Sequence, residues 1–103
     1  MEIAWMSALD IQEAIAKKQI SAVEIMSETL RRMDALEPKL NAFVTTTPEL
    51  AMDAARSTDT AVMSGKSLRL LEGIPISIKD LINVGGDKTT FGSRTKADHI
   101  AQV

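Results

Sequence analysis

Lys79 ends the apolar run Gly73-Ile74-Pro75-Ile76-Ser77-Ile78-Lys79, followed by Asp80, and of all side chains in this sequence it is the best placed to do proton chemistry. Read as a strand, the run alternates faces: Ile74, Ile76 and Ile78 point one way, Ser77 and Lys79 the other. If that second face is covered too, the amine loses its hydration. Burial disfavours the ammonium form, and a lysine so placed can accept a proton near neutral pH. The plain alternative is a solvated lysine closing an edge strand. Ser77 shares the lysine's face, which raises a Ser-Lys dyad as a candidate. Against it, neighbours on one strand face run parallel rather than converge, and no cluster of oxyanion donors accompanies them. The remaining serines, at positions 7, 21, 27, 57, 64, 67 and 93, include no Gly/Ser-rich pair, so no nucleophile is assigned.

Other chemistries are narrowed by composition. The chain has no cysteine, which removes disulfides and thiolate metal sites. Its single histidine, His99, reads as a solvated residue near the end of the sequence, so a His-rich metal site is not expected, and no cofactor is called for either. With 12 basic and 14 acidic residues the formal charge is -2, no field for nucleic acid, and the three aromatics, Trp5, Phe43 and Phe91, are too scattered to stack bases. Gly85-Gly86-Asp87-Lys88-Thr89-Thr90 looks superficially like a phosphate loop. It fails because Asp87 separates the last glycine from the lysine, and Leu81 stands where the earlier glycine belongs. No apolar run approaches the roughly 18 residues of a membrane-spanning helix, and the first residues lack a basic leader, so a cytoplasmic protein is expected.

The elements that must position Lys79 are announced by their caps. Ser7 with Asp10, and Ser21 with Glu24, each fit the capping pattern in which a hydroxyl serves backbone N–H groups of the first turn. The first helix carries Ala8, Ile11 and Ile15, with Lys17-Lys18 near its negative end. The second carries Ala22 or Val23, Met26, Leu30, Met33 and Leu36 as one stripe, which reads as core rather than a partner-binding face, and Pro38 is expected to end it. Glu28, Arg31 and Arg32 read as its solvated side. Residues 42–46 read as a strand from their aromatic and β-branched content. Thr47-Pro48 opens a third helix with Ala51, Met52, Ala55 and Val62, stopping near Gly65, and its alanine face suggests packing on a sheet. The order is helix-helix-strand-helix-strand, an α/β class whose sheet is incomplete.

From Gly73 to Ser93 the sequence reads GIPISIKDLINVGGDKTTFGS, which resembles the opening block of the amidase signature family, G-I-P-V-x-V-K-D followed by G-x-x-T-T-x-G-S. Gly73, Ile74, Pro75, Lys79, Asp80, Gly86, Thr89, Thr90, Gly92 and Ser93 fall on that pattern. Upstream, Ser21-Ala22-Val23-Glu24 and Pro38-Lys39-Leu40-Asn41-Ala42-Phe43 are similar to the family's S-A-x-E helix and N-P-x-L-N-A-F connector, with Glu37 in place of the usual Asn. The resemblance implies a large mixed sheet covered by helices, of which residues 1–103 would be the N-terminal fragment of a single amidase domain. It implies that Lys79 is the base of a Ser-cisSer-Lys triad that splits carboxamide C–N bonds, with Ser93 structural. Both triad serines would lie in a downstream segment, leaving this chain inactive alone.

Three function classes follow: a segment of an amide hydrolase acting on a small-molecule amide, a segment of a tRNA-dependent amidotransferase A subunit, or a non-catalytic interaction fragment. An unpaired strand edge at Ile74 to Lys79 would favour self-association, a homodimer being the simplest form.

Overall fold

A computed structural model of the chain describes residues 2–43, 45–80, 82, 84–86, 90 and 98–100. Among these residues a 3-10 turn at Ile3–Trp5 is followed by the helices α1 (Ala8–Ala16), α2 (Ala22–Leu40) and α3 (Pro48–Met63). The chain divides into two compact units, Met1–Ala42 with Thr46–Pro75, and Phe43–Thr45 with Ile76–Val103.

The first unit is helical and owns the core. Both sequence-read caps form: Ser7 Oγ accepts the Asp10 N–H at 3.1 Å, and Ser21 Oγ accepts the Glu24 N–H at 3.0 Å. One turn along α1 from its cap come Ile11, Ala14 and Ile15, all buried, while Ala8 is exposed. On α2 the buried positions are Ala22 and Ile25, with Val23 and Met26 packed beside them. The expected stripe is therefore rotated: Leu30 and Met33 are half-buried and Leu36 is exposed. Ile25 was not part of the expected stripe, yet among the described residues it is one of the two largest fully buried side chains.

Helix α3 lies against α2, not against a sheet, and Ala55 is the alanine that makes the approach. Pro48 stands at its first turn as expected, but the Thr47 side chain makes no cap hydrogen bond. The tie between the helices comes instead from Asp59, whose carboxylate accepts the Ala22 N–H at 2.7 Å and the Val23 N–H at 3.1 Å. Those N–H groups have no partner within α2, and a negative group there also meets the positive end of the helix dipole.

Pro38 does not end α2, contrary to expectation. It sits inside the last turn, and the helix continues to Leu40 before Asn41 turns left-handed at φ 47° and donates its N–H to the Glu37 carbonyl at 2.7 Å. A proline removes only its own N–H from the ladder. At an exposed last turn that loss leaves the following N–H groups free to close the helix.

Both strands expected from the sequence are absent among the described residues. Phe43, Thr45 and Thr46 have no regular structure, Val44 lies outside the described residues, and the run Ile74 to Lys79 is likewise irregular. A strand borrows its hydrogen bonds from a neighbour, whereas a helix closes its own, so β propensity without a pairing partner does not make a sheet. The α/β expectation is thus met in its helices only. No helix of the described residues is long and apolar enough to cross a membrane.

Candidate active site

The segment leading to Lys79 leaves the helical unit through a tight junction. Gln12 on α1 donates its amide nitrogen to the Arg69 and Leu70 carbonyls at 2.7 and 2.5 Å, fixing the loop after α3. Glu72 accepts the Arg69 N–H at 2.9 Å, and the Ile74 N–H donates to the Leu71 carbonyl at 3.1 Å, closing a turn. Gly73 occupies that turn at φ +87°, and a Cβ there would stand 2.9 Å from Ile15 Cδ1, 3.3 Å from Thr58 Cγ2 and 3.9 Å from Ala22 Cβ. Glycine is needed for both reasons, the backbone angle and the meeting of three helices beneath it. Ile74 then packs against the core and Pro75 ends the unit.

In the second unit Ser77 and Lys79 are both exposed, as are Ile76 at 70% and Ile78 at 48%. The desolvation that would make Lys79 a base at neutral pH is therefore not supplied by these residues. Ser77 and Lys79 form no hydrogen bond with one another among the described residues, so the dyad is not assembled. The Lys79 carbonyl accepts the Ile82 N–H at 3.0 Å, which turns the chain at once after the lysine.

In the sequence the next residue has a place in the motif but no role. Asp80 accepts the Thr90 N–H at 2.7 Å with one carboxylate oxygen, and its other oxygen is bonded by the Thr90 hydroxyl. Thr90 is buried and Asp80 half-buried. The two positions belong to the two halves of the matched block, so this clasp joins the lysine-bearing half to the Thr-Thr half. An acid directly after the lysine and a threonine ten residues on were the available signal. Gly86, at φ +85°, lies in the turn between them.

Asp87, Lys88, Thr89 and Ser93 lie outside the described residues, and His99 is exposed. Among the described residues no group of three His, Cys, Asp or Glu side chains is arranged to hold a metal ion. An open cavity of about 400 Å³ lies in the helical unit over Ile11, Ile25 and Ile74, with Thr29, Glu28 and Arg32 at its polar side. Glu28 is committed to Arg31, which donates to it at 2.6 and 2.8 Å, and the lining includes no serine or lysine.

Residues 24–103 match the sequence model of the family described as Amidase. The chain is 40% identical over 100 residues to the A subunit of the glutamyl-tRNA(Gln) amidotransferase of Carboxydothermus hydrogenoformans, covering 97% of this chain and 21% of that protein. It is 44% identical over 88 residues to the protein of the same description in Trichodesmium erythraeum, covering 85% and 18%. With that of Chloroflexus aurantiacus the figures are 43% over 96 residues, covering 93% and 20%. The chain thus spans about a fifth of the length of these relatives. No solved structure matches it.

Proposed function

This chain belongs to the Amidase family, and from that premise we propose that it is the lysine-bearing segment of an amidotransferase A subunit, in which Lys79 serves as the catalytic base. One observation carries the reading: the relatives at 40–44% identity are described as A subunits of glutamyl-tRNA(Gln) amidotransferase, and they align with nearly the whole of this chain. A free-standing amide hydrolase of the same family would use the same chemistry.

In this reading residues 1–103 form part of a single amidase domain, and the serines come from sequence beyond them. Covering the irregular run from Ile76 to Lys79 with that further sequence would supply both a strand partner and the lost desolvation of Lys79. The neutral Lys79 amine accepts a proton from the relay serine, which in turn takes one from the nucleophilic serine. The nucleophile's oxygen bonds to the amide carbonyl carbon, the C–N bond breaks, and the nitrogen leaves with a proton as ammonia. Water then releases the acid from the acyl-serine. No cofactor or metal takes part. The substrate is a small carboxamide, the ammonia passes to a companion protein of the same complex, and the whole operates in the cytoplasm without binding nucleic acid through this segment.

The test is a chimaera in which this chain replaces the matching fifth of the Carboxydothermus hydrogenoformans protein. The expected result is ammonia release from a carboxamide substrate that falls roughly 10²–10⁴-fold in Lys79→Ala, while the 103-residue chain alone releases none. A chimaera with native helicity whose activity survives Lys79→Ala would overturn the assignment, as would turnover by the isolated chain that depends on Lys79.

A further inference from the structure

Lys79 is exposed and held by one turn hydrogen bond of its own carbonyl, yet general-base catalysis needs an amine fixed to within a fraction of an ångström. Something nearby must hold the backbone. The turn formed by the Ile82 N–H and the Lys79 carbonyl sets the local bend but does not tie it to any distant part of the chain. Asp80 does. It is covalently the next residue, and both of its carboxylate oxygens are engaged by one residue ten positions on, the Thr90 N–H at 2.7 Å and the Thr90 hydroxyl. A two-point hold of this kind fixes direction as well as distance, since a single hydrogen bond lets the carboxylate swivel.

The placement of the clasp argues against a purely scaffolding part. Among the described residues core packing falls to Ile11, Ile15, Ala22, Ile25 and Ala55, all in the helical unit, and neither Asp80 nor Thr90 belongs to that cluster. Thr90 is nonetheless buried, at 6% exposure, and it directs both of its donors at one acid. A buried polar group must be satisfied, and here both the Thr90 N–H and the Thr90 hydroxyl are satisfied by the carboxylate of the residue that directly follows the lysine.

We propose that Asp80, through its two-point hold on Thr90, is the positioning residue of the lysine site, setting the backbone from which Lys79 reaches the proton it accepts. The inference rests on the assignment of Lys79 as base, and its test reads the lysine separately from catalysis. Lysines of the 103-residue chain are labelled by reductive ¹³C-methylation, the Lys79 signal is assigned by its loss in Lys79→Arg, and its pH profile is followed by NMR alongside hydrogen exchange at the Thr90 amide.

Asp80→Ala is expected to speed Thr90 exchange roughly ten- to a hundredfold, the scale of a hydrogen bond to a charged group, and to move the Lys79 pH profile, with the helical signal unchanged. Thr90→Ser, which keeps both donors, should leave both readouts as in the native chain, and Thr90→Val, which keeps only the N–H, should fall between native and Asp80→Ala. In the chimaera the same Asp80→Ala change should lower kcat with little change in KM. A Thr90 amide that exchanges freely in the native chain overturns the clasp. An Asp80→Ala chain whose Thr90 amide opens while the Lys79 profile stays put overturns the positioning role. If instead the Lys79 profile moves as described but Lys79→Ala leaves the chimaera active, the coupling stands and the catalytic assignment falls.

Discussion

Ile25 and Ile78 carry the same side chain and meet opposite fates, the first 1% exposed and the second 48%. Ile25 lies on α2, where the backbone closes its own hydrogen bonds and only needs another helix to cover one face. Ile78 lies in a run that has the alternation of a strand and no strand to pair with among the described residues. The helices of the first unit thus close their backbone from within their own sequence, whereas the run from Ile76 to Lys79 has no pairing partner among the described residues. A lysine in the second kind of region, as Lys79 is, stays a surface lysine until the pairing is supplied.

The sharpest way to break this contrast is to truncate both isoleucines. Ile25→Ala removes a fully buried side chain at the meeting of the helices and should cost about 2–5 kcal/mol, a large part of the ~5–15 kcal/mol typical of a whole domain. Ile78→Ala should stay within about 0.5 kcal/mol. Urea denaturation followed by helical circular dichroism measures both. Equal losses at the two positions would mean that the run around Ile78 is covered in solution, by self-association or otherwise, and sedimentation of the same samples would separate those cases.

A smaller effect is expected at the Gly73 turn of the helical unit. Gly73→Ala forces a side chain into a left-handed backbone position and against Ile15 Cδ1, and should destabilise by roughly 1–3 kcal/mol. Adding Ile15→Val removes the atom that the new methyl meets first. Recovery in the double variant assigns the cost to crowding, and additivity of the two losses assigns it to the backbone angle.

The helices were legible because their signals are local. Ser7 and Ser21 stand three residues before acids, and both cap as read. What could not be read was which of several apolar faces wins: Ile25 displaced the expected Leu30, Met33 and Leu36 from the core because the position of α3 decides the buried side of α2. Asp59 reaching the start of α2 is non-local for the same reason, 36 and 37 positions away from the groups it serves. The strands failed differently. Their side-chain pattern is present, but a strand is a property of two segments, and one sequence segment cannot report whether the other is there. At the site, Lys79 stood out in the sequence by type and by the resemblance of its surroundings, and the structure places it exposed. The Asp80 to Thr90 clasp was not, since nothing in a one-dimensional pattern says which threonine an aspartate will hold.

The smallest expected effect tests whether the helical unit depends on its surface charges. Glu13 is held below its ordinary value of 4.5 by the Lys17 hydrogen bond and charge, and Glu28 is lowered from the same value chiefly by its hydrogen bonds from Arg31. A depressed carboxyl favours folding at pH above its unfolded value and loses that contribution as pH falls through its folded value. The unfolding midpoint should accordingly be flat from about pH 7 to about pH 5 and decline gently only below 4.5 on account of these two groups. Both pairs are local surface pairs, four and three residues apart, so the decline should shrink further in high salt. The Glu13→Gln, Glu28→Gln double variant should lose the part of the slope that these pairs supply. A decline of undiminished steepness in that variant would assign acid sensitivity to other groups, and a midpoint that falls well above pH 4.5 in the native chain would show the same without any substitution.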